Sequence, residues 1–197
     1  MKLCSALPAL LLVALICLAP TYGDGTEEEP WDTISDALLP LSLAATGYEL
    51  LQDDAHGRET GRRMADTMII TTGAVLLTKD VIYSRRPPPS SEVDGFPSGH
   101  TAYAFALAEV VGAREPEARP WLYGYAALVG WSRVELNRHY WDQVIGGAVL
   151  GYLIGHQTGR GRWRLFGHRD SDVTAAGGAG LSLDMASGLG ARYDLSF

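Results

Sequence analysis

The sequence predicts an all-α protein: a helical bundle of about five core helices with its active site at one end, plus a short C-terminal β-hairpin. Five apolar runs, at 34–51, 67–83, 101–113, 121–136 and 143–157, have helix length and are separated by proline, glycine or charged turn residues. The mean hydropathy of +0.01 argues against a polytopic membrane protein, so the runs read as core helices of a soluble or membrane-associated bundle. Only beyond residue 172 does the pattern change to a period of two.

The first 23 residues stand apart from the bundle. Lys2 precedes an apolar run from Leu7 to Ala19, and the small residues of "APTYGDG" follow, which is the layout of a secretory signal peptide cleaved after Gly23. The protein is therefore expected to be exported, to the periplasm or to an envelope membrane. Both cysteines, Cys4 and Cys17, lie in this leader, so the mature chain would use neither disulfides nor thiol catalysis. The net charge is −7 and cleavage would remove only Lys2, which argues against nucleic acid as a partner. Any anion site must be local.

Residues 24–30, "DGTEEEP", form a charged, flexible lead-in to a helical domain at 31–158. The pattern Ile34, Leu38, Leu41, Ala45, Tyr48, Leu51 predicts a first helix over Trp31–Gln52, broken or kinked near Pro40. "DDAHGRETG" reads as a turn. A second helix runs from about Arg62 to Ser84 and stops before Pro87-Pro88-Pro89. After the loop "PPSSEVDGF" a third helix follows Pro97, and "AREPEARP" leads to a fourth over about Trp121–Leu136. "NRHYW" is a tight connection to a fifth, about Asp142–Thr158, whose Gly146, Gly147, Gly151 and Gly155 permit close helix packing.

The segment 159–172 is a basic linker in which Trp163 and Phe166 stand among arginines; it suits a membrane surface or simple solvation equally. In 173–197, Leu181, Leu183, Met185 and then Leu189, Tyr193, Leu195, Phe197 share a face on either side of Ser187-Gly188. That is a hairpin, expected to pack on the bundle or at a homodimer contact.

Three polar clusters fall at expected helix ends. Lys79 and Arg86 are nearly two turns apart near a helix terminus; alone they are a solvated basic end. Ser98-Gly99-His100 opens an apolar helix, where unpaired backbone N–H groups attract anions; alone it is a cap with an incidental histidine. "SRVELNRHYWDQ" brings Ser132, Arg133, His139, Asp142 and Gln143; alone it is a polar interhelical turn. Together they offer three cations for a tetrahedral dianion and two imidazoles for a two-step phosphoryl transfer. The cations themselves can stabilise the spreading charge, so the chemistry needs no metal.

The order K-x6-RP (Lys79 to Pro87), PSGH (Pro97 to His100) and SR-x5-H (Ser132 to His139) resembles the type 2 phosphatidic acid phosphatase and vanadium-dependent haloperoxidase superfamily, over roughly Trp31 to Thr158. The resemblance implies a helical bundle with its site at one end and a metal-independent histidine phosphatase. It casts His139 as the nucleophile that becomes phosphohistidine and His100 as the general acid. Lys79, Arg86, Arg133 and the Ser98-Gly99 turn would hold the phosphate oxygens. The family places an Asp four residues after the nucleophile; here that position is Gln143, and Asp142 comes one residue early. Asp142 could orient His139 if the turn were one residue tighter, or serve as a helix cap. Gln143 could hold the Nδ1 proton through its carbonyl without supplying charge.

The resulting expectation is an exported phosphomonoesterase or pyrophosphatase acting on lipid-linked or small organic phosphates. It would work at a membrane surface without a cofactor, and vanadate would inhibit it. A vanadate-dependent haloperoxidase, with vanadate as its cofactor, would use the same residues; the short chain favours the phosphatase. The substitution at Gln143 keeps a third reading open, a non-catalytic envelope protein that binds phosphorylated lipid.

Overall fold

The structure, a computed structural model, describes residues 30–166. The leader at 1–23, nearly all of the lead-in at 24–30, the end of the basic linker and the hairpin at 173–197 lie outside the described residues. Among the described residues six helices follow one another: α1 Pro30–Asp36, α2 Leu38–Leu50, α3 Ala55–Val81, α4 Gly99–Arg114, α5 Arg119–Glu135 and α6 Trp141–Gly159. Among the described residues the regular elements are all helices, as expected, and Ser84 and Asp94 form an isolated bridge.

The first apolar run is two helices. Pro40 has no N–H to give the Asp36 carbonyl, so the ladder breaks at Ala37, while proline itself sits harmlessly in the first turn of α2. At the next junction α3 starts at Ala55, not near Arg62. Asp54 caps it by accepting the Gly57 N–H at 2.7 Å. Gly57 and Gly61, which read as turn glycines, are packing glycines: a β-carbon would meet Gln52 Cβ at 2.6 Å and Leu50 Cγ at 2.8 Å respectively.

Helix α4 is the centre of the bundle and packs against α3, α5 and α6. Its small residues Ala102, Ala104, Ala106 and Ala108 are buried, which lets neighbours come close. The approach of α6 is closest at Gly151, where a β-carbon would overlap the Ala102 carbonyl. Residues 160–166 turn back along α3: Arg164 pairs with Glu59 at 2.9 Å and the Phe166 N–H donates to Asp66 at 3.1 Å. From Asp66 to Lys79 is about 20 Å along the α3 axis. The described part of the basic linker therefore lies toward the end remote from Lys79.

Candidate active site

At the other end, the C-terminal turns of α3 and α5 meet the N-terminal turns of α4 and α6. A cavity of about 360 Å³ opens there, and Lys79, Arg86, Gly99, His100, Arg133 and His139 all line it. The three clusters that are remote in sequence share this one space.

Local chain geometry explains each placement. Helix α5 ends at Glu135, and Asn137 takes the left-handed conformation (φ 50°) that asparagine tolerates. The Arg133 carbonyl then accepts the N–H groups of both Arg138 and His139 at 3.0 Å, which folds His139 back beside Arg133. At α4 the first intrahelical bond is from Ala102 N–H to Ser98 O, so the amides of Gly99, His100 and Thr101 precede the ladder. Ser98 itself is fully buried: its hydroxyl lies 2.9 Å from that of Thr101 and its N–H donates to the backbone carbonyl of Gln143 at 3.0 Å. Its side chain sits behind the cavity and does not line it.

Gln143 stands directly behind His139. It is fully buried, with Oε1 3.0 Å from His139 Nδ1 and 3.1 Å from the Tyr140 N–H. Its Nε2 donates to Ser84 Oγ at 2.9 Å and to the Arg85 carbonyl at 2.8 Å. Both amide protons are thus committed, so the carbonyl must face the histidine and His139 carries its proton on Nδ1. The Nε2 lone pair is then the free one. Gly95 makes room for the arrangement, since a β-carbon there would overlap Gln143 Nε2. Asp142 is exposed in the first turn of α6.

Both imidazoles are neutral near pH 7. Burial, followed by the positive charge of Arg133, pushes His100 down to about 4. Burial, opposed by the Gln143 hydrogen bond and reinforced by Arg86, does the same for His139, also to about 4. The cations differ in how far they are engaged. Arg133 is buried and donates from Nη1 to Ser35 Oγ at 2.9 Å, but its buried Nε has no partner. Arg86 grips Asp94 with two bonds of 2.9 and 3.0 Å and reaches Glu92 at 3.0 Å; Lys79 reaches the same Asp94 at 3.1 Å. Burial works against the Asp94 charge, yet the hydrogen bonds from Arg86 and Lys79 outweigh it and hold the carboxyl below its ordinary range. Two carboxylates thus offset two of the three cations. Even so, Arg86 retains two uncommitted N–H groups and Lys79 two. A buried guanidinium with one unpartnered N–H beside cations with uncommitted donors is chemistry suited to an oxyanion.

Residues 64–166, more than half of the chain, match the PAP2 superfamily. The chain belongs to the PAP2 superfamily. A lipid A 1-phosphatase of Porphyromonas gingivalis is 36% identical over 143 residues, which is 68% of this chain and 31% of that protein. The chain thus spans about a third of that relative's length. The fold is similar to the crystal structure of Aquifex aeolicus LpxE, with a TM-score of 0.55 at 22% identity, covering 76% of this chain and 93% of that one.

Several residues of this PAP2 site were not singled out from the sequence. Asp94 and Glu92 belong to the loop that carries Arg86, Ser35 supports Arg133 from α1, and Leu38, Leu39, Thr72, Val75 and Tyr103 complete the cavity wall. Asp94 lies three residues before PSGH, but nothing in its spacing says that it turns toward Arg86.

Proposed function

We propose that this PAP2 chain is an exported, envelope-associated phosphatase that removes phosphate from lipid-linked or small organic phosphates through a phosphohistidine. The observation that carries the reading is the cavity itself, in which two neutral imidazoles flank three cations, one with an unpartnered buried N–H. In the first step the His139 Nε2 lone pair attacks phosphorus and the bond to the leaving oxygen breaks. His100 gives that oxygen a proton. In the second, His100 takes a proton from water, the oxygen attacks phosphorus, and the P–N bond returns its electrons to His139. Lys79, Arg86, Arg133 and the amides at the start of α4 hold the phosphoryl oxygens, with the charge stabilisation strongest as negative charge spreads.

His100 must be protonated to act as an acid, although burial and Arg133 hold it neutral near pH 7. A phosphate monoester has its second pKa at about 6, so a bound monoanion or dianion reverses the local field and favours proton uptake by His100. Gln143 fixes the His139 tautomer without adding charge. The role of a lipid substrate is supported by the P. gingivalis relative's description as a lipid A 1-phosphatase. It is also supported by apolar side chains at the cavity end: Leu76, Leu77, Val81 and Tyr83 on and after α3 are 62–80% exposed. Trp131 and Trp141 meet edge-on nearby at the α5–α6 junction, a pairing suited to a membrane interface. Among the described residues, no helix is long and apolar enough to cross a membrane.

The test is phosphate release from p-nitrophenyl phosphate, phosphatidate, phosphatidylglycerophosphate, undecaprenyl pyrophosphate and lipid A. Turnover with competitive inhibition by vanadate, a mimic of the five-coordinate transition state, is the expected result. Vanadate-dependent bromide oxidation would replace the phosphatase reading. Vanadate binding without any turnover would leave a lipid-phosphate binder.

A further inference from the structure

A second cavity, apolar and about 140 Å³ in volume, adjoins the first. Leu38 of α2 lines both. Beyond it, α2 contributes Leu41 and Ala45, while α4, having given His100 and Tyr103 to the phosphate cavity, gives Leu107 and Val111 to this one. The two spaces are consecutive stations along the same pair of helices. Trp121, 73% exposed, forms part of the outer wall. The apolar cavity ends at Glu49 and Glu115. Burial, and next the Glu115 charge, raise the Glu49 carboxyl above its ordinary range, as expected for acids crowded at an apolar mouth.

We propose that this groove binds one hydrocarbon chain of the lipid whose phosphate sits in the catalytic cavity. The inference rests on the phosphatase reading above and adds where the tail goes. Continuity at Leu38 is the first reason. Length is the second: from Leu38 to Glu49 the axis of α2 runs about 16 Å, close to the roughly 15 Å depth of hydrocarbon in one bilayer leaflet. Polarity is the third. Lys79, Arg86 and Arg133 line only the first cavity, while at the other end Glu49 and Glu115 lie close to His56 and Arg114. The phosphate-binding cations that favour an anionic headgroup thus stand at one end only, toward Arg133.

The experiment compares kcat/KM of the full chain for butyl, octyl and dodecyl phosphate below their aggregation concentrations. Burial of one methylene is worth up to about fourfold, so a rise of at least about tenfold from butyl to dodecyl is expected. Ala45→Trp, which fills the groove at a half-buried position, should lower the dodecyl-to-butyl ratio by about tenfold. A variant that misfolds would mislead, so a second readout uses the unaltered groove. A terminally brominated dodecylphosphonate, which cannot be hydrolysed, should quench a component of tryptophan fluorescence that Trp121→Phe removes, and brominated butylphosphonate should not. Loss of all turnover, including that of p-nitrophenyl phosphate, would sink the phosphatase reading while the quenching still tests the groove. A flat chain-length dependence together with quenching indifferent to Trp121→Phe would overturn the proposal, whether the groove is then filled by the chain's own tail or by a second copy.

Discussion

The charge cluster around Glu109 and the one around Arg133 differ in one respect. Toward the far end, Glu109 of α4 accepts from Tyr123 at 2.6 Å and from Arg119 at 2.8 Å, and lies 2.9 Å from His156 Nδ1, whose ring stacks on Tyr152. Both carboxylate oxygens are occupied. At the near end, the same ingredients surround open space and Arg133 Nε lacks a partner. Buried ions alone therefore do not mark the reactive site. What sets the near cluster apart is an unpartnered Arg133 N–H among cations that line an open cavity, where a fitting anion would be welcome.

The sharpest way to break this contrast is to change one residue in each cluster. His139→Ala should cut phosphate release by at least about 10⁴-fold, as loss of a nucleophile does, while leaving thermal stability close to that of the wild type. His100→Ala should slow alkyl phosphates far more than p-nitrophenyl phosphate, whose leaving group needs no proton. Equal losses for both would exchange or abolish the assigned roles. Glu109→Ala should do the reverse, costing about 3 kcal/mol of stability by stranding its partners while touching nothing that faces the cavity. Urea unfolding and initial rates on the same preparations separate the two effects.

The pH dependence of stability sharpens the comparison. His100 and His139 have folded pKa values of about 4, below the ordinary 6.5. The unfolded chain then binds more protons between these values, so their contribution is complete above pH 6.5 and is lost as pH falls toward 4. Glu109 is held below its ordinary value: burial opposes its charge, and hydrogen bonds from His156 and Tyr123 overcome that. Its contribution is lost only below about pH 4.5. Stability lost between pH 6.5 and 4.5 should thus belong to the cavity and shrink in His100→Gln. A slope unchanged by that substitution would mean that another group is titrating.

Much of the near cluster was legible because its chemistry is spaced at helix ends. Proline runs, PSGH and the tight "NRHYW" connection each bound a helix, so the convergence of Lys79, Arg86, His100, Arg133 and His139 followed from the bundle. Helix boundaries were less legible where glycine had two meanings. Gly57 and Gly61 mark packing against Leu50 and Gln52, a tertiary fact that no local pattern carries. The partner of His139 was left open between Asp142 and Gln143, because a shift of one residue at a helix start reverses which side chain points inward. The far cluster went unseen altogether. Glu109, Arg119, Tyr123 and His156 come from three helices, and no motif joins them.

Gln143 is where the two kinds of order meet, a fully satisfied buried amide serving an unsatisfied cavity. Gln143→Leu keeps the volume but frees His139 to turn or change tautomer, and kcat should fall on the order of 100-fold with KM little changed. Gln143→Glu instead places charge beside the imidazole. It should raise the His139 pKa and move the acid limb of kcat/KM upward from about 4. A fall in KM-dependent terms alone, with no movement of that limb, would assign Gln143 to packing.

The smallest expected change is at Asp94, which engages two of the three cavity cations. An incoming phosphate must share Lys79 and Arg86 with this carboxylate, so Asp94 weakens the hold on inorganic phosphate as well as on substrate. Asp94→Asn preserves the shape and one acceptor while removing the charge. Inorganic phosphate should then inhibit about tenfold more strongly, the order expected for one charge removed near two partly solvated cations. The difference should diminish as salt is raised. Weaker inhibition by phosphate would mean instead that Asp94 acts mainly to aim Arg86. In that event the near cluster, like the far one, would be held together chiefly by its ion pairs.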